Sequence, residues 1–241
     1  METVHHAFYG SDHYRINTAR IEHLEYLDLD LKNKKVLETG CGGKGDFTKW
    51  LLSKGSIVTL NDSRLENIEC LLKNLESLEG LEDMESLENI KYNTWDLNKD
   101  LEDPSEFDVI FSYGTLYHLG HPDVALKNLA SMCKGFLIMS TCVSRNTDSS
   151  VNLINENSDS KNQSSTGVGC RPTRKWIIEE LKKYFKYVCI SKMQPNHEDY
   201  PSNWNNWSGT SRAVFLATND ESVIDSSKWS VDLLDIQEKI Q

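Results

Sequence analysis

The sequence predicts an α/β domain built on a doubly wound, mainly parallel sheet, and three observations carry that expectation. Short apolar runs that suit buried strands alternate with segments of helical periodicity through most of the 241 residues. The first such run, beginning at Lys35, breaks into a glycine-dense turn, ETGCGGKGD, and re-emerges as the polar start of a helix. Two further strand-like runs, 187–193 and 212–218, close the sheet.

Taken in order, 1–34 reads as an N-terminal helical segment covering the site. Ile16, Ala19, Ile21, Leu24 and Leu27 recur on one helix face. Tyr14, Asn17 and Arg20 share a neighbouring face at intervals of three, which suits either a solvated face or the rim of a site where Arg20 or Asn17 holds a carboxylate. After the glycine turn, Phe47, Trp50, Leu51 and Leu52 form the buried side of a crossover helix that ends at Lys54-Gly55. A second strand over 57–60 closes with Asn61-Asp62, and a helix from 64 to about 78 carries the stripe Leu65, Ile68, Leu71, Leu72, Leu75.

The acidic Leu-Glu stretch from 76 to 88 reads as solvated helix or loop. A third strand over 90–94 leads to Trp95-Asp96-Leu97, and FDVIFSYGTLYHLGHPD, from Phe107, reads as a buried strand broken at Ser112-Tyr113-Gly114. A helix over 126–132 and a strand over 136–141 follow. Between 143 and 170 the composition turns to Ser and Asn, and this stretch is expected to be a mobile lid or an insertion. Thr173 caps a helix bearing Trp176, Ile177, Leu181 and Phe185. The domain proper is expected over 35–218, with an acidic tail at 219–241 holding one short helix over 231–240.

The formal net charge is −11 without a basic block, so nucleic acid is an unfavoured partner. No run approaches the roughly 20 apolar residues that span a bilayer, and a cytoplasmic location is expected. The six cysteines, at 41, 70, 133, 142, 170 and 189, show no paired spacing and read as reduced thiols. His5, His6 and His13 make no metal set, and no metal is expected.

The glycine turn is a nucleotide-type cradle, because glycine accepts positive φ and lets backbone approach a ligand, while the following helix directs free N–H groups at it. Two cofactors fit. Gly40, Gly42 and Gly45 match the dinucleotide fingerprint, with Asp62 as the ribose acid of an NAD(P)-dependent oxidoreductase. Glu38, two residues before the first glycine, stands in a position that resembles that of the acid which enzymes using S-adenosylmethionine carry as the strand ends.

With that acid, its glycines and GTLYHLGHPD, the chain resembles the class I S-adenosylmethionine-dependent methyltransferases. It departs from their first motif in having Lys44 where a third glycine is usual, with Gly45 one residue later. The resemblance implies a Rossmann-like sheet of seven strands with the last antiparallel. It implies a cofactor site of Glu38, Gly40, Cys41, Gly42, Gly45, Asp62, Ser63, Asp96, Leu97 and Tyr113, to which Arg20 is added. Asp62 would hold the ribose, and Asp96 and Leu97 the adenine.

Methyl transfer to a hydroxyl needs a base, and His118 is the first choice, with His197 and Tyr113 in reserve. The loop QPNHEDYPSNWNNW mixes aromatic faces with short polar groups, as a sugar requires. Tyr117, Tyr200, Trp204 and Arg171 are the expected acceptor contacts. The expected activity is therefore O-methylation of a small molecule such as a sugar or glycan precursor. Beside it stand the oxidoreductase, a cofactor-binding module without catalysis and a tRNA-modifying methyltransferase.

Overall fold

A computed structural model describes residues 8, 10–76, 90–102, 104–207 and 210–241. His5, His6 and nearly all of the acidic Leu-Glu stretch lie outside the described residues. The described elements are α1 (Ser11–Leu27), β1 (Lys35–Thr39), α2 (Asp46–Ser53), β2 (Ile57–Asn61), α3 (Leu65–Glu76), β3 (Lys91–Asn93), β4 (Phe107–Tyr113), α4 (Pro122–Met132) and β5 (Cys133–Cys142). They continue with β6 (Val151–Asn155), β7 (Val168–Pro172), α5 (Arg174–Leu181), β8 (Tyr187–Ser191), β9 (Met193–Gln194), β10 (Arg212–Thr218), β11 (Trp229–Ser230) and β12 (Glu238–Lys239).

The main sheet runs β11-β8-β10-β5-β4-β1-β2-β3. Strands β3, β2, β1, β4 and β5 are parallel, and β10 lies antiparallel between β5 and β8. The expected seven strands are therefore present, and β11 adds an eighth at the edge, antiparallel to β8.

Strand alternation divides the core into two layers, since successive side chains point to opposite faces. Val36, Val58, Leu60, Val109 and Phe111 face one layer with Leu24, Trp50, Leu51, Ile68 and Leu71 from α1, α2 and α3. Leu37, Ile110, Leu137, Met139 and Phe215 face the other, with Leu126 and Leu129 of α4 and Ile177 and Leu181 of α5. Burial on both faces is why these strands read as continuous apolar runs.

One segment is more ordered than its composition suggests, and another differs from expectation. The Ser/Asn-rich stretch contains an antiparallel hairpin, Val151–Asn155 with Val168–Pro172, so backbone pairing supplies order that its composition conceals. The tail holds no helix over 231–240. Its buried residues there are Gln237 and Ile240, preceded by Trp229, whereas Val231, Leu233 and Ile236 are exposed. Extended pairing of β12 with β9 and the Gln237 amide's bond to the Ser191 carbonyl outcompete an isolated helical turn.

Candidate functional site

In open α/β sheets ligands bind beyond the carboxyl ends of the strands, and here a cleft opens past β1, β2 and β4. Gly40 (φ 58°), Cys41, Gly42 (φ 62°) and Gly45 (φ 82°) form its floor. A Cβ on Gly40 would stand 2.4 Å from Thr115 Oγ1, and one on Gly42 would stand 2.8 Å from the Phe8 ring. Thr115 Oγ1 in turn donates to the Thr39 carbonyl at 2.6 Å, tying this turn to the segment after β4.

Asp62 directly follows β2 and lines the cleft, as does Ser63. Its carboxylate accepts from Gly42 N (3.1 Å), Arg64 N (3.0 Å) and Asn67 Nδ2 (3.1 Å), while burial pushes its pKa up. Glu38 does not line the cleft. It is buried beneath the turn, where Thr48 Oγ1 donates to it at 2.6 Å and burial raises its pKa to about 8. This acid braces the start of α2 from below.

At one end of the cleft are Asp96 and the buried Leu97. Burial alone would raise Asp96, but Lys99 at 3.0 Å and hydrogen bonds from Asn98 outweigh it and hold the pKa low. Arg20 also lines the cleft; its Nε donates to Tyr200 Oη (3.0 Å) and its Nη1 to Asn17 Oδ1 (3.2 Å). Its Nη2 is buried with no hydrogen-bond partner among the described residues. A cradle that admits only backbone at Gly40 and Gly42, with an acid at Asp62 and an unsatisfied guanidinium nitrogen opposite, fits the ribose and amino-acid carboxylate of S-adenosylmethionine.

Tyr117 and His118 occupy a one-turn 3-10 helix, Leu116–His118, on the cleft wall. His118 Nδ1 lies 2.6 Å from Glu156 Oε2. Burial raises the Glu156 pKa, but the His118 bond and the Ser164 N–H outweigh it and hold the group ionised. The carboxylate is then acceptor only, so Nδ1 carries the proton and Nε2 keeps its lone pair. Burial lowers the His118 pKa against the opposing pull of Glu156.

The loop between β6 and β7 roofs the cleft, with Lys161, Asn162, Gln163, Ser164 and Ser165 lining it. Arg64 donates to the carbonyls of Gln163 (2.6 Å), Ser158 (2.8 Å), Lys161 (3.3 Å) and Ser164 (3.3 Å). Asn67 Nδ2 also reaches Lys161 O, at 3.1 Å.

Several expected site residues stand elsewhere. Tyr200 is fully buried, its hydroxyl shared between Arg20 and Ser140 Oγ (2.6 Å), so it positions Arg20 and offers no face to an acceptor. Trp204 packs under the Arg174 guanidinium, 3.8 Å from its ring centre, and donates to Gln237 Oε1. Neither lines the cleft, because the polar-aromatic loop folds inward against the tail. His197 is buried outside the cleft with Nδ1 accepting from Asp199 N at 3.1 Å. Tyr113 lines the cleft, but burial drives its phenol pKa well up, against use as a base. Arg171 stands behind Tyr117, donating to the Tyr117 and Cys170 carbonyls at 3.2 and 2.7 Å. Sequence reasoning missed Glu156, Arg64 and Thr115. Glu156 is the only glutamate between 143 and 170, which was the one available signal.

Comparison with known proteins adds independent findings. A family model described as a methyltransferase domain matches residues 11–188. The ubiquinone biosynthesis O-methyltransferase of Coxiella burnetii (strain RSA 493 / Nine Mile phase I) is 34% identical over 133 residues, 54% of this chain and 52% of that protein. The chain thus spans about half the length of the curated relatives it matches. Among solved structures, the N-terminal domain of EvdMO1, crystallised in the presence of SAH and D-fucose, superposes with a TM-score of 0.63 at 18% identity over 87% of this chain and 84% of that one. The magnesium protoporphyrin IX methyltransferase of Synechocystis PCC 6803, with bound SAM, gives 0.57 at 14% identity over 87% and 85%. At such identities the likeness is one of fold.

Proposed function

Because this chain belongs to the class I S-adenosylmethionine-dependent methyltransferases, we propose that it methylates a hydroxyl of a small molecule, with His118 as general base. The hydrogen-bonded pair His118–Glu156 on the cleft wall carries this reading. A neutral amine attacks a methyl sulfonium without help, whereas an alcohol must lose its proton. A histidine with Nδ1 tied to an ionised carboxylate is the device an alcohol requires. Family membership sets aside the dinucleotide reading of Gly40, Gly42, Gly45 and Asp62.

When bound, S-adenosylmethionine supplies an electrophilic methyl carbon on a sulfonium. Asp62 would accept the ribose hydroxyls, Asp96 and Leu97 would meet the adenine, and Arg20 would hold the amino-acid carboxylate through Nη2. His118 Nε2 takes the acceptor proton as the oxygen attacks, and Glu156 stabilises the imidazolium that results. The 156–167 loop, as a lid, excludes water and fixes the acceptor for an in-line geometry. A sugar-like acceptor is our first choice. The short polar side chains Asn17, Asn162 and Ser164, which line the same cleft as the Tyr117 ring, suit hydroxyls and an apolar ring face. The Coxiella relative is itself named as an O-methyltransferase, which favours oxygen as the receiving atom.

His118→Ala tests the base. Turnover should fall about 10²- to 10⁴-fold with S-adenosylhomocysteine affinity kept. Undiminished turnover across the pH range would remove His118 from the chemistry.

A further inference from the structure

We propose that the acceptor carries a carboxylate, held by Arg212 beside the hydroxyl that His118 deprotonates; this rests on the acceptor reading above. Arg212 opens β10, and because β10 is antiparallel its first residue pairs with Cys142, at the carboxyl end of β5. Arg212 therefore sits at the ligand-binding edge of the sheet, although it belongs to the last long strand.

The side chain is 12% exposed and Nε donates to Asp199 Oδ2 at 3.1 Å. Its Nη1 is buried and has no hydrogen-bond partner among the described residues. The same guanidinium lies 4.9 Å from the centre of the Tyr117 ring, and that of Arg171 lies 5.2 Å from it. Tyr117 and His118, with ring centres 4.0 Å apart, line the cleft directly. Two arginines thus converge behind Tyr117 without lining the cleft themselves, and Arg212 meets the acceptor once the Tyr117 ring turns aside.

A purely structural role accounts for only part of this. Asp199 satisfies Nε and the Tyr117 side chain faces and hydrogen-bonds the guanidinium, but Nη1 keeps no hydrogen-bond partner among the described residues. Leaving a buried charged donor unpaired is costly, and this chain, with 37 acids against 26 bases, had carboxylates to spare. Glu156, an acid on the same side of the cleft, is committed to His118, with Oε1 3.8 Å from Arg171. An acid on the ligand would complete the set. Carboxylate is favoured over phosphate because Asp199 already shares the charge of Arg212, leaving a donor suited to one negative charge rather than two. The Arg20 nitrogen assigned to the cofactor is a separate group on α1, so the two anion contacts do not compete.

The test pairs each acid with its neutral amide: glucuronate with glucuronamide, galacturonate with galacturonamide, and 3,4-dihydroxybenzoate with its amide. Formation of S-adenosylhomocysteine from S-adenosylmethionine is followed for each, and S-adenosylhomocysteine binding is measured in parallel. At least one acid should be methylated with kcat/KM about 10- to 100-fold above its amide. Arg212→Gln should erase that preference while keeping S-adenosylhomocysteine affinity, and Arg212→Lys should restore part of it. Amides accepted as well as acids, no acid accepted at all, or a preference that survives Arg212→Gln would overturn the carboxylate site. The acid–amide comparison in the unaltered protein stands even if Arg212→Gln does not fold. Failure of the unaltered protein to bind S-adenosylhomocysteine would sink the methyltransferase reading itself, a distinguishable result.

Discussion

Arg64→Ala should release the roof of the cleft without unfolding the domain. Arg64 reaches four carbonyls of the 156–167 loop, two of them at 2.6 and 2.8 Å and two at 3.3 Å. Counting only the short pair, at about 1.5 kcal/mol for each charge-assisted bond, the loop loses about 3 kcal/mol of local ordering. That raises its open population by about two orders of magnitude. The remaining ties include the His118–Glu156 bond at the start of the loop (2.6 Å), which anchors that end, and weaker contacts farther along: Asn67 to Lys161 O at 3.1 Å, Asn162 to His13 at 3.2 Å, Ser63 to Ser165 at 3.3 Å and the partly exposed Lys161–Glu66 pair. Hydrogen exchange of the 156–167 amides should accelerate by a comparable factor, while amides of β1 and β4 keep their protection. Arg64→Lys should not rescue it, since a single ammonium lacks the planar fork that reaches separated carbonyls. Unchanged exchange in this loop would refute the reasoning, because the bonds that define the latch would then contribute nothing to holding it.

Asp62→Ala should weaken S-adenosylhomocysteine binding by roughly 1.5–3 kcal/mol, read by calorimetry, and unchanged affinity would remove Asp62 from the ribose site. Stability should also fall as pH rises from 6.5 to 8 through Glu38. Its folded pKa of about 8 exceeds the usual carboxylate value, so its contribution is complete below about 4.5 and is lost progressively up to about 8. Over that upper 1.5-unit window the loss is about 2 kcal/mol, and buried His23, with its pKa lowered to about 4 by burial, opposes it by only about 0.4 kcal/mol, because it is half protonated in the unfolded chain at pH 6.5. Glu38→Gln should flatten denaturant midpoints across the window, and an undiminished slope in that variant would assign the effect to other groups.

The strands and crossover helices were legible because burial on both sheet faces writes itself as apolar runs, as in Val36-Leu37 and Val109–Phe111. The glycine turn was legible because only glycine tolerates the close approach of Thr115 and Phe8. Glu156 was not, since its partner His118 is 38 residues away and a lone acid in a Ser/Asn-rich run has no periodicity. Tyr200 and Trp204 misled for a related reason. Their composition matched a sugar site, but Ser140, Gln237 and Arg174 draw them inward through contacts made by distant segments. Glu38 was visible as an acid at the end of β1, yet only the bond from Thr48 reveals that it faces beneath the turn.

Calorimetric titration of the purified protein with S-adenosylmethionine, S-adenosylhomocysteine, NAD and NADP in parallel tests the central claim most directly. Binding of both sulfur compounds at about micromolar affinity, with no heat from the two nucleotides, is the result the cleft predicts. Binding of NAD or NADP with silence from the sulfur compounds would contradict it and turn Asp62 into the ribose ligand of a dehydrogenase.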